Sequence, residues 1–279
     1  MVEHSEGRFN GCRDFSLYYQ KWLPENDPKA ILVISHGLAE HSGRYASLAS
    51  YFVSRGYAVY ALDYQGHGKS GGLRGYVAQF SDFSDDLKTF VDIVRNEQRG
   101  RKIFLFGHSV GGTIAIAYTA AHQADLAGLL LSAPTVKVGS SVSRGDIAMG
   151  RTLAKLLPKK GIAVIDATAI SHDEAVVDAY VNDPLVYRGK ISARLGVELI
   201  NTMERELPRR LPEIKLPILI MYGTADRLSN PAGSTLLYGM VGSEDKTLKR
   251  YAGLYHEILN EPERRQVLAD MEAWLAAHV

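Results

Sequence analysis

The chain has 279 residues, with 32 Lys and Arg against 31 Asp and Glu for a formal net charge of +1. That balance supplies no global field to hold a nucleic acid, and a chain of this length can bury roughly 75% of its unfolded surface without staples. Its one cysteine, Cys12, excludes an internal disulfide framework and a cysteine-rich metal centre, and reads as a packing residue of a protein kept in a reducing, cytoplasmic setting.

Residues 1–8 are charged and lack an apolar core, and no later run reaches the roughly 18 apolar residues of a membrane span. A soluble, unprocessed chain is expected. Residues 8–10 and 15–21 alternate polar with apolar and predict an antiparallel hairpin at a sheet edge. Short apolar, β-branched runs at 30–34, 57–62, 103–106, 129–131 and 217–221 then alternate with longer helical patterns. This rhythm predicts an α/β fold, a mostly parallel sheet with helices on both faces. It breaks between about 136 and 211, where no strand run occurs and amphipathic helical segments fall near 147–157, 174–181 and 191–203. The expected organisation is a core from 1–135 and 212–279 with a helical cap inserted over 136–211. The insertion would emerge at the carboxyl edge of the strands, where open α/β sheets bind ligands. Ordinary crossover helices are the alternative reading of the same stretch.

Gly107-His108-Ser109-Val110-Gly111 lies between the strand run ending at Phe106 and a helical run beginning at Thr113. In that context G-x-S-x-G is a nucleophile elbow, a sharp turn that presents the serine hydroxyl clear of the sheet. A serine needs a base, and the base needs a carboxylate to hold its tautomer. Asp226 follows the strand at 217–221, and His256 follows a last strand predicted at 246–251. The order Ser, Asp, His is that of α/β-hydrolases. A lone loop Asp is more often a cap and a lone loop His a hydrogen-bonding residue, but here each stands at a strand's carboxyl end in the right order. The oxyanion would be met by the backbone N–H of Val110 and by that of Leu38, in the His36-Gly37-Leu38 loop after an early strand. The His36 side chain is expected to fix that loop and take no part in chemistry. Gly66-His67-Gly68-Lys69-Ser70 is no phosphate loop, because Asp63 stands where its first glycine belongs, and the spacing of His36, Glu40 and His41 does not fit a zinc helix. No cofactor and no metal are implied.

Several segments together resemble monoacylglycerol lipases, most closely the bacterial members. They are the His36–Tyr45 stretch, the Asp63–Gly72 loop, the Ser109 elbow, Asn182-Asp183-Pro184, Gly223–Asp226 and Tyr255-His256. The resemblance runs from about Phe9 to the C-terminal helix. It implies an α/β-hydrolase sheet with a mobile helical cap, and cleavage of one fatty-acyl ester from glycerol. It also places Glu40, Arg44 and Tyr180 near the glycerol head group. Glu40 and Arg44 can equally pair and brace the oxyanion loop, and both readings demand a polar pair at this edge. Ala39 stands where glycine is common in the family, and Val110 where methionine is common.

An acyl chain needs an apolar trough, which Ile147, Leu153, Leu156, Leu157, Ile162, Val164 and Ile165 are expected to provide. Lys137, Arg144, Arg151, Lys155, Lys159 and Lys160, opposed only by Asp146, make the first part of the insertion basic. Such a segment either is a solvated helix face or rests on an anionic lipid surface as a peripheral membrane contact. The partner expected is therefore a small-molecule lipid, with no nucleic acid. A lysophospholipase or general carboxylesterase on the same scaffold is the rival activity, and a non-catalytic binding protein is disfavoured by the complete triad. Oligomeric state is not encoded in any feature above.

Overall fold

The computed structural model describes residues 3–139 and 142–279. Strands β1 (Glu3–Asn10) and β2 (Ser16–Leu23) form the antiparallel hairpin that the alternation predicts, in register from Glu3 against Leu23 to Asn10 against Ser16. Cys12 lies half-buried in the turn between them, its N–H donating to Asp86 at 2.6 Å. Burial, with the Asp86 charge adding to it, pushes the thiol up to about 11. It is a packing group and not a thiolate.

Strands and helices then alternate through β3 (Ala30–Ser35), α1 (Ala46–Val53), β4 (Tyr57–Leu62), α2 (Ser81–Glu97), β5 (Ile103–His108), α3 (Val110–His122) and β6 (Gly128–Ser132). A mainly helical stretch follows, with α4 (Arg144–Leu156), β7 (Gly161–Ala163), α5 (Glu174–Asn182), β8 (Ile191–Ser192), α6 (Ala193–Asn201) and α7 (Leu207–Arg210). The strand rhythm resumes with β9 (Ile218–Gly223), α8 (Pro231–Met240), β10 (Lys246–Tyr251) and α9 (Arg264–His278).

The eight long strands form one sheet in the order β1-β2-β4-β3-β5-β6-β9-β10. β2 pairs antiparallel with β4, and every pair from β4 onward is parallel. β3, β4 and β5 read as unbroken apolar runs because both of their faces are covered. Ile31, Val33 and Leu105 face a layer containing α2, α3 and α8, whereas Leu32, Ile34 and Phe104 face α1 and α9. In α2 the buried Phe83, Leu87, Phe90, Val91 and Val94 fall at three- and four-residue steps, one stripe of a helix facing the sheet.

One expectation is corrected. The stretch from 136 to 211 does contain strands, β7 and β8, which pair antiparallel as a separate two-stranded ribbon. At three and two residues, mostly half-exposed, they carry no apolar run by which sequence could reveal them. The helical segments of that stretch stand where the periodicity puts them, and α6 continues through a π-helical turn at Thr202–Glu206.

Candidate active site

β5 ends at His108 and α3 begins at Val110, so Ser109 alone makes the turn, at φ 54° and ψ −122°. A non-glycine residue held there stores on the order of 1–3 kcal/mol, which the surroundings must offset. Ser109 N–H donates to the Ser132 carbonyl at 2.9 Å, and the Ser109 carbonyl accepts from Gly112 N–H at 3.0 Å and Thr135 N–H at 3.1 Å. The elbow glycine Gly111 is required by close approach: a Cβ there would lie 2.2 Å from the Ser35 carbonyl oxygen.

Asp226 lies just past β9 and His256 just past β10, both at the carboxyl edge that carries Ser109. The His256 Nδ1–H donates to Asp226 Oδ2 at 2.8 Å, and the pair is almost wholly buried. Asp226 Oδ1 accepts from the N–H groups of Leu228 and Ser229 at 2.8 and 2.9 Å, so the carboxylate is fixed in its own turn. In the neutral ring this bond leaves Nε2 as the unprotonated nitrogen, the state a general base requires. The His108 ring lies 4.8 Å from that of His256, and burial, aided by the charge of its neighbour, lowers His108 to about 4. His108 thus stays neutral beside the base. The Ser109 hydroxyl is bonded to Thr135 Oγ1 at 3.3 Å, and among the described residues no hydrogen bond joins it to His256.

Leu38 and Val110 line the same cavity as Ser109. Among the described residues no protein acceptor takes the N–H of either. Both donors are therefore available to a developing oxyanion. Ala39 has φ 66°, in the left-handed region that suits glycine better than a residue with a Cβ. The His36 side chain does brace the loop: Nδ1–H donates to the Gly37 carbonyl at 2.7 Å, and Nε2 accepts from Tyr64 N–H at 3.0 Å. Asp63 similarly holds the 63–72 loop, accepting from Ser42 N–H and Lys69 N–H at 2.7 Å each.

Glu40 and Arg44 are joined by a residue that sequence reasoning missed. Arg44 donates to Glu40 Oε2 at 2.8 Å and grips both oxygens of Glu257, at 2.6 and 2.8 Å. Glu40 Oε1 accepts from Gly37 N–H at 2.6 Å and from the Tyr45 hydroxyl at 2.7 Å, tying the ion cluster to the oxyanion loop. Burial alone would raise the Glu40 carboxyl, but the Arg44 charge, joined by the neighbouring histidines and the Tyr45 hydroxyl, holds Glu40 at about 2. The guanidinium also lies over the Tyr180 ring, 4.8 Å from its centroid. Bracing is thus visible in the bonds themselves. Glu257 directly follows His256, and its place beside a candidate base is the one sequence signal that points to it.

A cavity of about 190 Å³ opens over Ser109. Leu38, Val110 and Leu228 and, from the mainly helical stretch, Ile165, Ile170 and Leu199 line it, with Glu40, Tyr180 and Glu257 among its polar residues. This volume is below the usual range for drug-sized ligands, so a long acyl chain must extend beyond it. Of the residues expected to form the trough, only Ile165 lines this cavity. Leu156, Leu157, Ile162 and Val164 face solvent instead. Amphipathic periodicity marks an apolar face without saying what covers it. A second cavity, about 520 Å³, lies beyond Glu40, His108 and Glu257, toward α1 and α9. The mainly helical stretch is held to the rest of the chain by Tyr187 N–H to the Ala39 carbonyl, Glu257 N–H to the Ile170 carbonyl and Ser192 N–H to the Gly75 carbonyl, each 2.8 Å. Among the described residues no group of His, Cys, Asp and Glu is arranged to hold a metal ion, and no helix is long and apolar enough to cross a membrane.

The sheet order, the helices on both faces and the strained serine between β5 and α3 define an α/β-hydrolase. Residues 26–263 match the sequence profile of the family described as serine aminopeptidase, S33. A monoacylglycerol lipase of Mycolicibacterium smegmatis is 40% identical over 99% of this chain and 98% of its own length. The human monoglyceride lipase is 36% identical over 93% of this chain and 86% of its own. The crystal structure of Paleococcus ferrophilus monoacylglycerol lipase superposes with a TM-score of 0.85 at 32% identity, covering 94% of this chain and 99% of that one. The chain belongs to the monoacylglycerol lipase family, and it is a carboxylic ester hydrolase.

Proposed function

We propose that this enzyme hydrolyses monoacylglycerols to glycerol and a free fatty acid, with Ser109 as nucleophile, His256 as base and then acid, and Asp226 as the group that orients His256. The observation that carries the reading is the buried His256–Asp226 bond beside a strained serine, in a cavity apolar on most sides and polar at Glu40, Tyr180 and Glu257. Ser109 Oγ attacks the ester carbonyl as its proton passes to His256 Nε2, and the oxyanion is received by the Leu38 and Val110 N–H groups. Collapse breaks the bond to glycerol, whose oxygen takes the proton from His256. Water then gives a proton to His256 as its oxygen attacks the acyl-enzyme carbonyl, and His256 passes that proton to Ser109 Oγ as the acyl–Oγ bond breaks and the fatty acid leaves. Glu40, Arg44 and Tyr180 form the head-group end. The Tyr180 hydroxyl has no protein partner among the described residues, which leaves it free for a glycerol hydroxyl. Residues 136–211 act as the cap, because they supply Ile165, Ile170, Tyr180 and Leu199 to the cavity over Ser109.

The activity is tested by presenting purified enzyme with mono-, di- and triacylglycerols and a lysophospholipid, each at several chain lengths. Release of glycerol and fatty acid in equal amounts is expected, at least about tenfold faster from monoacylglycerol than from the others. A lysophospholipid turned over faster than any monoacylglycerol would assign the enzyme to the rival class.

The cap also serves as a peripheral membrane contact of an otherwise cytoplasmic enzyme. Among the described residues, Val142, Met149, Leu156, Leu157, Ile162 and Val164 are exposed in one short stretch of sequence, interspersed with Arg144, Arg151, Lys155, Lys159 and Lys160. Apolar side chains rimmed by cations suit an anionic bilayer. A fully buried leucine contributes about 2 kcal/mol. Replacing both Leu156 and Leu157 by Asp is therefore expected to cut co-sedimentation with anionic vesicles at least about tenfold. If the native protein fails to sediment with such vesicles at low salt, docking is wrong and the esterase assignment is untouched.

A further inference from the structure

Three hydroxyls form a chain that the proposed mechanism does not use. Ser109 Oγ lies 3.3 Å from Thr135 Oγ1, and Thr135 Oγ1 lies 2.7 Å from Ser229 Oγ. Both ends are fixed by backbone. Thr135 N–H donates to the Ser109 carbonyl at 3.1 Å, and the Thr135 carbonyl accepts from the Thr113 hydroxyl at 2.5 Å. Ser229 N–H donates to Asp226 Oδ1 at 2.9 Å, so the far end is anchored on the carboxylate that holds His256. The chain thus runs from the nucleophile to the acid turn by a route that avoids the base.

A hydroxyl has one proton, so the chain runs in one direction or the other. If Ser109 donates to Thr135, its proton points away from the base that must take it. If Thr135 donates to Ser109, one lone pair of the attacking oxygen is engaged. Only in the first direction must the bond to Thr135 break before Ser109 can give its proton to His256, and that is the direction taken here; in the second the other lone pair stays free to attack. We propose that Thr135, anchored by Ser229, is a positioning residue that holds the Ser109 hydroxyl in a resting orientation, and that bound substrate exchanges this bond for the one to His256. The proposal rests on Ser109 being the nucleophile. It assigns to Thr135 a restraint on the free enzyme and no contact with the reacting bond.

The test uses the full-length protein and a small fluorophosphonate with no long chain, which reads serine reactivity without acyl binding. Thr135→Val keeps the shape of the side chain and removes the hydroxyl. It is expected to be labelled about three- to tenfold faster than the native enzyme, the range set by one ordinary hydrogen bond. The pH midpoint of labelling should stay unchanged, because Asp226 and His256 are untouched. Thr135→Ser restores the hydroxyl and should return labelling to within about twofold of native. Ser229→Ala removes the anchor and leaves the Asp226 turn, which uses the Ser229 N–H; it should be labelled faster by a smaller factor. A loss of packing alone would slow labelling and would not be rescued by serine. Equal or slower labelling of Thr135→Val overturns the proposal, and if that variant does not fold, equal or slower labelling of Ser229→Ala overturns it. Labelling of Ser109→Ala at the native rate would instead remove the nucleophile assignment on which it stands.

Discussion

Ser109→Ala should lower kcat for monoacylglycerol by about 10⁴- to 10⁶-fold, the loss typical of removing a serine nucleophile from an intact triad. The reasoning is geometric. Thr135, whose hydroxyl is nearest, sits off the elbow, with its oxygen shared with Ser229 and no bond to His256 among the described residues. It cannot replace the lost oxygen. The fold should survive, because Ser109 holds its turn through backbone bonds to Ser132, Gly112 and Thr135, all of which alanine retains. A thermal midpoint within about 3 °C of native is expected, since one lost hydrogen bond of roughly 0.5–1.5 kcal/mol is partly offset by a smaller polar group to bury. Turnover within about a hundredfold of native would place the nucleophile elsewhere.

Arg44→Met is expected to destabilise the protein by about 3–5 kcal/mol at pH 7, the usual cost of leaving a buried charge without its partner. Methionine keeps the length of the stem but removes what is, among the described residues, the only cation bonded to both Glu40 and Glu257, whose side chains are 5% and 6% exposed. The pH dependence should change sign. In the native protein Glu40 is held at about 2 against an ordinary 4.5, so its ionised form contributes stability present above about 4.5 and lost as the pH falls toward 2. Without Arg44, burial prevails and raises the Glu40 carboxyl above its unfolded value. Its contribution is then present at low pH and lost as pH rises. Urea unfolding at pH 7 and again near pH 4.5 should therefore show the gap between variant and native narrowing by about half or more on acidification. A variant within about 1 kcal/mol of native at pH 7 would mean that water already carries much of the compensation attributed to Arg44.

Much of this architecture is legible in the sequence because each signal is local. The strand before Ser109, the glycines around it and the helix after it are contiguous, and Asp226 and His256 each directly follow a strand-like run. What escaped is what depends on distant contacts. Glu257 meets Arg44 across 213 positions of sequence, and Thr135 meets Ser229 across 94. Nothing in the spacing of either pair marks it. The β7–β8 ribbon escaped for a different reason, being too short for a period-two pattern to emerge. The apolar residues near 156–164 read as a cavity wall but are exposed, since an amphipathic pattern marks an apolar face without saying what covers it.

The placement of β6 between β5 and β9 has a consequence for the newborn chain. From the end of β6 at Ser132 to the end of β9 at Gly223 the ribosome must add 91 residues (223 − 132), which takes roughly 5–20 s at ordinary elongation rates. Throughout that interval the outer edge of β6 has no strand to pair with, and Leu129, Leu130 and Leu131, fully buried in the finished protein, lack the strand that will flank them. An open apolar edge of this kind invites other chains. The serine turn is already synthesised, yet Asp226 and His256 are not. Translation therefore delivers a sticky intermediate first, and on the proposed roles of Asp226 and His256 hydrolytic competence arrives only once His256 has been added.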